Sequence, residues 1–163
     1  MAVRRMEAGP EGTKELRVTP IKNGTVIDHI PSGMGLKVLK ILDIDENIGS
    51  TVTLLMRSPS KKMSWKDLVK IEDRELVVRE VNKIALIAPE ATIAIIRDYS
   101  VAEKHLVKLP ETVVGILKCS NSGCISNGND PVESKFHVEG KRPPVLRCHY
   151  CEREAGDVAA QIV

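Results

Sequence analysis

The amino-acid sequence predicts an α+β fold in two unequal parts. Runs of alternating apolar and polar residues outnumber the helical stretches and are joined by short turns, which favours a mostly antiparallel sheet over a doubly wound one. All four cysteines lie within the last 45 of the 163 residues. We therefore expect an antiparallel sheet covered on one face by two helices, followed by a small antiparallel β module.

The boundary between the two parts is predicted at Leu109 and Pro110, where a strand-like stretch ends and a proline begins the approach to the first cysteine. This divides the chain into a flexible tail over residues 1–14, a domain over residues 15–109 and a second domain over residues 110–163. A unit of about 50 residues buries too little apolar surface to offset its chain entropy. A bound metal is the usual source of the missing folding energy, on the order of 10–16 kcal/mol for structural zinc.

The elements of the first domain follow from periodicity and turn signals. Asn23-Gly24 between two apolar runs predicts a β-hairpin. Apolar residues at helical spacing predict helices over residues 33–42 and 75–88, and residues 58–62 are expected to break a strand. The predicted strands cover residues 16–20, 26–30, 50–56, 68–71, 91–97 and 101–108. This order of a hairpin, a helix, two strands, a helix and two strands is ferredoxin-like.

The second domain is predicted to be a β module whose thiols sit at strand ends. Residues 112–118 lead into the first cysteine, residues 134–139 alternate as a strand, and residues 145–147 lead into the third cysteine.

The cysteines form two closely spaced pairs, Cys119-x4-Cys124 and Cys148-x2-Cys151, with 23 residues between the pairs. Two such pairs on turns can place four sulfurs at the corners of a tetrahedron around Zn2+, which leaves no open position for a substrate. The alternative is two disulfides, but the N-terminus has no apolar stretch that resembles a secretory signal. The sequence therefore predicts one structural zinc ion per chain.

Charge and aromatic content argue against nucleic acid as a partner of the metal module. Residues 110–163 carry 6 Lys/Arg against 7 Asp/Glu, and the whole chain has four aromatic residues. A zinc ribbon that binds nucleic acid needs a basic face for phosphates and, for single strands, rings on which bases stack. No apolar run approaches the ~20 residues that cross a bilayer. We expect a soluble, cytosolic protein that binds neither nucleic acid nor membrane.

Motifs that support catalysis are absent from the sequence. There is no Gly-rich phosphate loop, no G-x-S-x-G elbow and no HExxH pair, and the cysteines are assigned to metal. The acidic cluster of Asp43, Asp45 and Glu46 is interpreted as a solvated loop after the first helix. An independent nucleotide-processing enzyme would need a nucleophile, an open metal position or a general base with a partner.

A group of polar residues in the first domain contains the parts of a nucleotide site. Asp28 and His29 lie at the end of a predicted strand, Lys70 and Lys104 lie on other strands, and residues 18–21 supply a strand edge. A carboxylate can bind ribose hydroxyls, and lysines or a protonated histidine can neutralise phosphates. Chemistry alone favours the alternative, in which Lys70 and Lys104 are ordinary surface lysines and His29 is a satisfied histidine at the edge of the core.

Several separated motifs resemble the regulatory chain of aspartate carbamoyltransferase. They occur in the family's order and cover nearly all of residues 15–163, and both thiol pairs have the family's spacing. The motifs are IKNGTVIDHIP at 21–31, KDLVKIE at 66–72, LIAPEAT at 86–92, CSNSGCIS at 119–126 and CHYCE at 148–152.

The resemblance implies a non-catalytic subunit that carries allosteric signals to a separate catalytic trimer in pyrimidine biosynthesis. The N-terminal domain would bind CTP as feedback inhibitor and ATP as its opponent, with UTP as a further candidate, and the zinc domain would dock on the catalytic chain. The family also implies regulatory dimers that bridge two catalytic trimers, with an edge strand of the first domain as a plausible dimer surface.

The resemblance also implies roles for individual residues. Asp28 would hold the ribose, Lys104 and His29 the phosphates, and Lys70 the ribose and the edge of the base. Backbone groups near Ile21 and Tyr99 would distinguish a pyrimidine from a purine. The full set of nucleotide-binding residues implied in this way is Val18, Ile21, Val26, Asp28, His29, Lys70, Tyr99, Val101 and Lys104.

Two positions depart from the family's pattern. Ala94 stands where the family has an asparagine in the strand before the Tyr turn, which bears on nucleotide preference and on the sign of the response. Gly123 replaces an asparagine in the first thiol loop, which bears on one contact to the catalytic chain.

Overall fold

The computed structural model describes residues 18–130 and 132–163 and contains two antiparallel sheets, each with its own buried core. The tail predicted over residues 1–14 lies outside the described residues. The first region contains β1 (Gly24–Pro31), α1 (Gly35–Ile41), β2 (Val52–Ser60), β3 (Ser64–Glu72), α2 (Val78–Ile87), β4 (Thr92–Arg97) and β5 (Ser100–Leu106). The second contains β6 (Thr112–Val114), a 3-10 turn (Ile125–Asn127), β7 (Lys135–Lys141), β8 (Pro144–Cys148) and α3 (Val158–Gln161).

The first sheet has the strand order β2-β3-β1-β4-β5, and every neighbouring pair is antiparallel. Strand alternation points Ile27, Val69 and Ile93 to one face, where they form a core with Val38 of α1 and Ile84 of α2. Both helices therefore cover the same face, as the sequence predicts. The other face of the sheet carries no helix of the first region, and its side chains are only partly buried.

The hairpin predicted at Asn23-Gly24 is wrong. Residues 18–20 form no strand, and Gly24 is the first residue of β1. Gly24 has φ 138°, and a Cβ at this position would lie 2.0 Å from the carbonyl oxygen of Ile71 on β3. The glycine therefore permits β1 and β3 to approach closely, because it has no Cβ.

Strand β2 is longer than predicted, because the break expected at residues 58–62 begins only at Lys61. Ser58, Pro59 and Ser60 pair with β3, after a shift of register that follows Leu55. A proline is tolerated at this position because β2 lies at the edge of the sheet, where one side of the backbone has no partner strand.

Both predicted helices exist but are shorter than expected. Helix α1 starts only at Gly35, because Gly33 at φ 92° is not helical. Helix α2 starts at Val78, where the carboxylate of Glu80 accepts a hydrogen bond from the N–H of Val77 at 2.9 Å. It ends before Pro89, which disfavours helical geometry in the preceding residue.

Asp67 of β3 is fully buried and connects three parts of the first region. One carboxylate oxygen accepts the N–H groups of Gly33 and Gly35 at 2.9 Å each, and the other accepts the N–H of Arg57 at 2.8 Å. A buried carboxylate with three charge-assisted hydrogen bonds can replace its lost hydration. Through Asp67, strand β3 thus holds both the start of α1 and the irregular part of β2 at Arg57.

The second sheet has the order β6-β7-β8 and packs Phe136, Leu146 and Leu117 into a small core. The approach predicted over residues 112–118 contains a strand only at 112–114, since Gly115 at φ 63° turns the chain. Leu86 of α2 is 2% exposed and belongs to this second core. No helix in the part of the chain described here is long and apolar enough to cross a membrane.

Candidate functional site

The four cysteine sulfurs lie within 4.8 Å of one another, and all four thiols are free. The closest sulfurs join the two pairs: Cys119 Sγ lies 3.6 Å from Cys151 Sγ, and Cys124 Sγ lies 3.7 Å from Cys148 Sγ. Tetrahedral ligands with Zn–S bonds of ~2.3 Å are ~3.8 Å apart, so these distances fit a metal ion at the centre. They are too long for the alternative of two disulfides.

Local hydrogen bonds hold each thiol loop in place. Asn127 donates from Nδ2 to the carbonyl oxygens of Cys119 and Asn121, each at 2.8 Å, which closes the first loop. In the second loop Cys148 N–H donates to Arg153 O at 2.9 Å, and Glu152 adopts φ 60° to turn the chain. Each loop therefore has hydrogen bonds that hold its shape in addition to its metal ligands.

The pKa values of the thiols differ within the cluster. Burial raises the pKa of Cys119 to about 12 and also raises that of Cys148. Burial opposes a lower pKa at Cys124, but hydrogen bonds from Ser126 and the neighbouring thiols bring it below its ordinary value. The N–H of Arg153 is the main cause that lowers the pKa of Cys151 to about 6. Four adjacent thiols cannot all ionise to thiolates unless a cation balances their charge. The donor set fits one structural Zn2+.

In the first region, three of the predicted nucleotide residues, Val26, Lys70 and Lys104, lie in one row on the open face of the sheet. Lys70 of β3 pairs with Val26 of β1, Val26 pairs with Ala94 of β4, and Ala94 pairs with Lys104 of β5. Paired residues point to the same side of a sheet, so these four form one row. The row crosses three strand-to-strand spacings, so the backbones at Lys70 and Lys104 are about 14 Å apart.

Asp28 lies next to this row, one alternation along β1. Its carboxylate accepts a hydrogen bond from Lys66 Nζ, with Nζ 2.8 Å from Oδ1 and 3.0 Å from Oδ2, and also from the N–H of His29 at 2.6 Å. Burial raises the pKa of Asp28, but the Lys66 contact and the His29 N–H outweigh it and leave the pKa below its ordinary value. The group is an anion held in a defined orientation at neutral pH.

His29 lies where the register of β1 shifts, with φ 57°. Its Nδ1 lies 3.3 Å from the hydroxyl oxygen of Thr92, the first residue of β4. The ring is therefore positioned by the neighbouring strand.

The segment before β1 borders the same face. Lys70 Nζ donates to the carbonyl oxygen of Thr19 at 2.7 Å, and burial lowers the pKa of Lys70. Tyr99 N–H donates to Lys22 O at 2.9 Å, so this backbone donor is already engaged. Ile21 is buried, Val18 is half-buried, and the side chains of Tyr99 and Val101 are 67% and 58% exposed at the β4–β5 turn.

Lys66 and Thr92 are absent from the residues predicted from the sequence, yet both contact predicted site residues. Lys66, Leu68 and Lys70 alternate with the buried residues of β3, so Lys66 lies on the same face as Lys70. Strand alternation was the available signal for Lys66. Thr92 requires the β1–β4 register, which the sequence does not give.

A cavity of about 490 Å3 lies on the opposite, helix-covered side, between α2 and the strands β4 and β5. None of the predicted nucleotide residues lines it. The two faces of the sheet are therefore distinct environments.

Fold and site together define a two-region α+β protein in which a structural-metal module follows a larger sheet domain. Residues 16–108 match the sequence profile of the aspartate carbamoyltransferase regulatory chain, allosteric domain. Residues 111–159 match the profile of the metal binding domain of the same regulatory chain.

Curated relatives agree with both profiles. The chain is 57% identical over 140 residues to the aspartate carbamoyltransferase regulatory chain of Methanothrix thermoacetophila, covering 86% of this chain and 91% of that protein. It is 49% identical over 144 residues to that of Thermoplasma acidophilum, covering 88% and 95%. It is 55% identical over 139 residues to that of Thermococcus onnurineus, covering 85% and 91%.

The chain belongs to the family of aspartate carbamoyltransferase regulatory chains. It is a non-catalytic chain with an allosteric domain and a metal-binding domain, and as a regulatory chain it associates with a catalytic chain.

Proposed function

We propose that this chain binds CTP and ATP on the open face of its first sheet and passes the signal to catalytic trimers through its zinc module. The observation that carries the proposal is the row from Lys70 to Lys104, with Asp28 beside it. UTP is a further candidate ligand. The domain boundary at Leu109 and Pro110 and the nine nucleotide-binding residues inferred from the family are part of the same proposal.

The chemistry of the row suits a nucleoside triphosphate. Lys104 is exposed on an edge strand and can reach phosphate oxygens, while His29 adds a second group that carries charge when protonated. Asp28 is an oriented carboxylate that can accept hydrogen bonds from ribose hydroxyls. Val26 and Ala94 give the middle of the row an apolar floor on which a base can lie.

Lys66 affects how the ribose would be held. Its Nζ is hydrogen-bonded to the Asp28 carboxylate, so a ribose that binds Asp28 has to share or replace this contact. We therefore assign Lys66 to the site as a residue that positions Asp28.

The metal module supplies the route to the partner. Its sheet is built around the cysteines, and its exposed apolar residues Ile125 and Tyr150 lie next to metal-ligand positions. We propose that this module docks on the catalytic chain and that regulatory chains pair as dimers bridging two catalytic trimers. A cytoplasmic location belongs to the same proposal, because four reduced thiols suit a reducing compartment.

Calorimetric titration with CTP tests the site. Lys104→Ala removes a charged hydrogen-bond donor to phosphate, so we expect CTP affinity to fall roughly tenfold to hundredfold. Lys37→Ala serves as the matched control, since Lys37 is an exposed lysine on α1, on the other face of the sheet. CTP affinity that is equal in the two variants would place the phosphates elsewhere. Absence of CTP binding in the unaltered chain would contradict the function itself.

A further inference from the structure

Helix α2 and the turn after it make three contacts between the two regions. Near the N-terminal end of the helix, Arg79 donates to the carbonyl oxygen of Gly115. Near the C-terminal end, Leu86 is buried in the core of the second region. Beyond its C-terminal end, Glu90 Oε1 lies 2.9 Å from Arg142 Nη1 in the β7–β8 turn. Along the chain, the buried Leu86 thus lies between two polar contacts that join the regions.

The Glu90 contact is joined to the nucleotide side of the sheet by a short piece of chain. Thr92, whose hydroxyl oxygen lies 3.3 Å from His29 Nδ1, is only two residues after Glu90. Ala91, between them, is fully buried. Its N–H donates to Ala88 O and its carbonyl accepts the N–H of Val107, each at 3.0 Å.

Because Ala91 is buried and both of its backbone groups are bonded, the chain between Thr92 and Glu90 has little room to adjust by itself. In the proposed site, a phosphate at His29 would compete with Thr92 for the imidazole, at the start of β4.

We propose that the Glu90–Arg142 ion pair is a coupling contact through which nucleotide at His29 changes the orientation of the metal module. This inference rests on the proposed function and adds the residues that transmit the signal. The side chain of Arg142 is 76% exposed and that of Glu90 is 25% exposed, so the pair is a weak, adjustable contact. A contact of that strength suits a switch, because allosteric coupling is itself small.

The test is a mutant cycle in the complex reconstituted with the catalytic chain. The readout is the factor by which saturating CTP changes aspartate carbamoyltransferase activity. We expect Glu90→Gln and Arg142→Gln each to reduce this response by a factor of roughly two to five, in line with exposed ion pairs. The response to CTP of the Glu90→Gln, Arg142→Gln double variant should be no smaller than that of either single variant. The charge-swapped double variant, Glu90→Arg with Arg142→Glu, should restore the response.

Thr92→Val tests the connecting segment, since it removes the hydroxyl at constant size. We expect the same loss of response as in Glu90→Gln, with no further loss when the two are combined. Glu75→Gln is the control, because the Glu75–Arg97 ion pair lies within the first region. It should respond as the unaltered chain does.

The outcomes separate the two proposals. If CTP does not bind or does not alter the activity of the unaltered complex, the proposed function fails. If the unaltered complex responds and Glu90→Gln, Arg142→Gln or Thr92→Val responds equally, the coupling contact is wrong. Additive losses in the double variant, or a charge swap that does not restore the response, would also overturn it.

Discussion

The first region packs Ile27, Val69 and Ile84 into a core shared by a five-stranded sheet and two helices, whereas the second region has a three-stranded sheet whose buried residues include Cys119, Cys124 and Cys148. A large core stabilises a domain through apolar burial alone. In the small core, metal ligands occupy positions that aliphatic side chains fill in the first region. Metal binding therefore takes the place of apolar burial in the second region.

The regions also differ in where their polar groups point. In the first, Asp28, Lys70 and Lys104 lie on an open face where a ligand can enter. In the second, the thiols point inward and are spatially close, so they serve the fold. The closed site holds the fold of the second region, and the open face is where we propose that nucleotide binds.

Removal of the metal should produce the largest difference between the regions. Chelation withdraws folding free energy on the order of 10–16 kcal/mol from the second region. We expect backbone amides of residues 111–163 to lose protection in hydrogen exchange, while β1, β3 and β4 keep theirs. Cys148→Ser should reproduce the effect. Equal loss of protection in both sheets would mean that the first region does not fold on its own core.

Asp67→Asn should destabilise the first region by roughly 3 kcal/mol, because the amide cannot accept all three buried N–H groups that the carboxylate accepts. The fluorescence of Trp65, the only tryptophan and a residue of β3, reports unfolding of this region in urea. Asp43→Asn is the control, since Asp43 is exposed. A midpoint unchanged by Asp67→Asn would show that the three contacts contribute little.

Leu86→Ala should affect the boundary between the regions. Loss of a buried leucine costs about 2–5 kcal/mol, and here the cavity opens in the second core although the residue belongs to α2. We expect weaker zinc retention against a competing chelator, whereas Val78→Ala, at a position 76% exposed on the same helix, should have no effect. Equal zinc retention in the two variants would show that the packing of Leu86 does not stabilise the metal module.

Acid should weaken the first region slightly through Asp28. Its pKa in the folded state lies below the ordinary value of 3.8, so its contribution to stability is present above that pH and is lost as the pH falls through the folded-state pKa. Urea unfolding followed by Trp65 between pH 3 and 6 should therefore show a steeper decline in the unaltered chain than in Asp28→Asn. Parallel curves would show that the Lys66 contact gives no net stabilisation.

The sequence predicted the fold class because strand alternation and helical spacing are local patterns that burial enforces. It also predicted the four-thiol cluster, since two short spacings bring the sulfurs together almost without reference to the rest of the chain. These are properties that a few neighbouring residues determine.

The failures depend on contacts between distant residues. The sequence predicts a turn at Gly24, but the role of this glycine is set by the carbonyl of Ile71 on another strand. The sequence predicts a break at Pro59, but an edge strand tolerates the proline. Thr92 contacts His29 only because of the register between β1 and β4. Pairing register is a long-range property, so these features required the structure.

We propose that the first region binds nucleotide on its own core and that the second region needs metal in order to dock. This division is tested most directly by titrating CTP calorimetrically into zinc-loaded and zinc-depleted chain. Zinc-depleted chain should bind CTP with an affinity within about threefold of the zinc-loaded chain. The row from Lys70 to Lys104 lies on the first sheet, and the core of that sheet contains no metal ligand. Loss of CTP binding on removal of zinc would contradict this division.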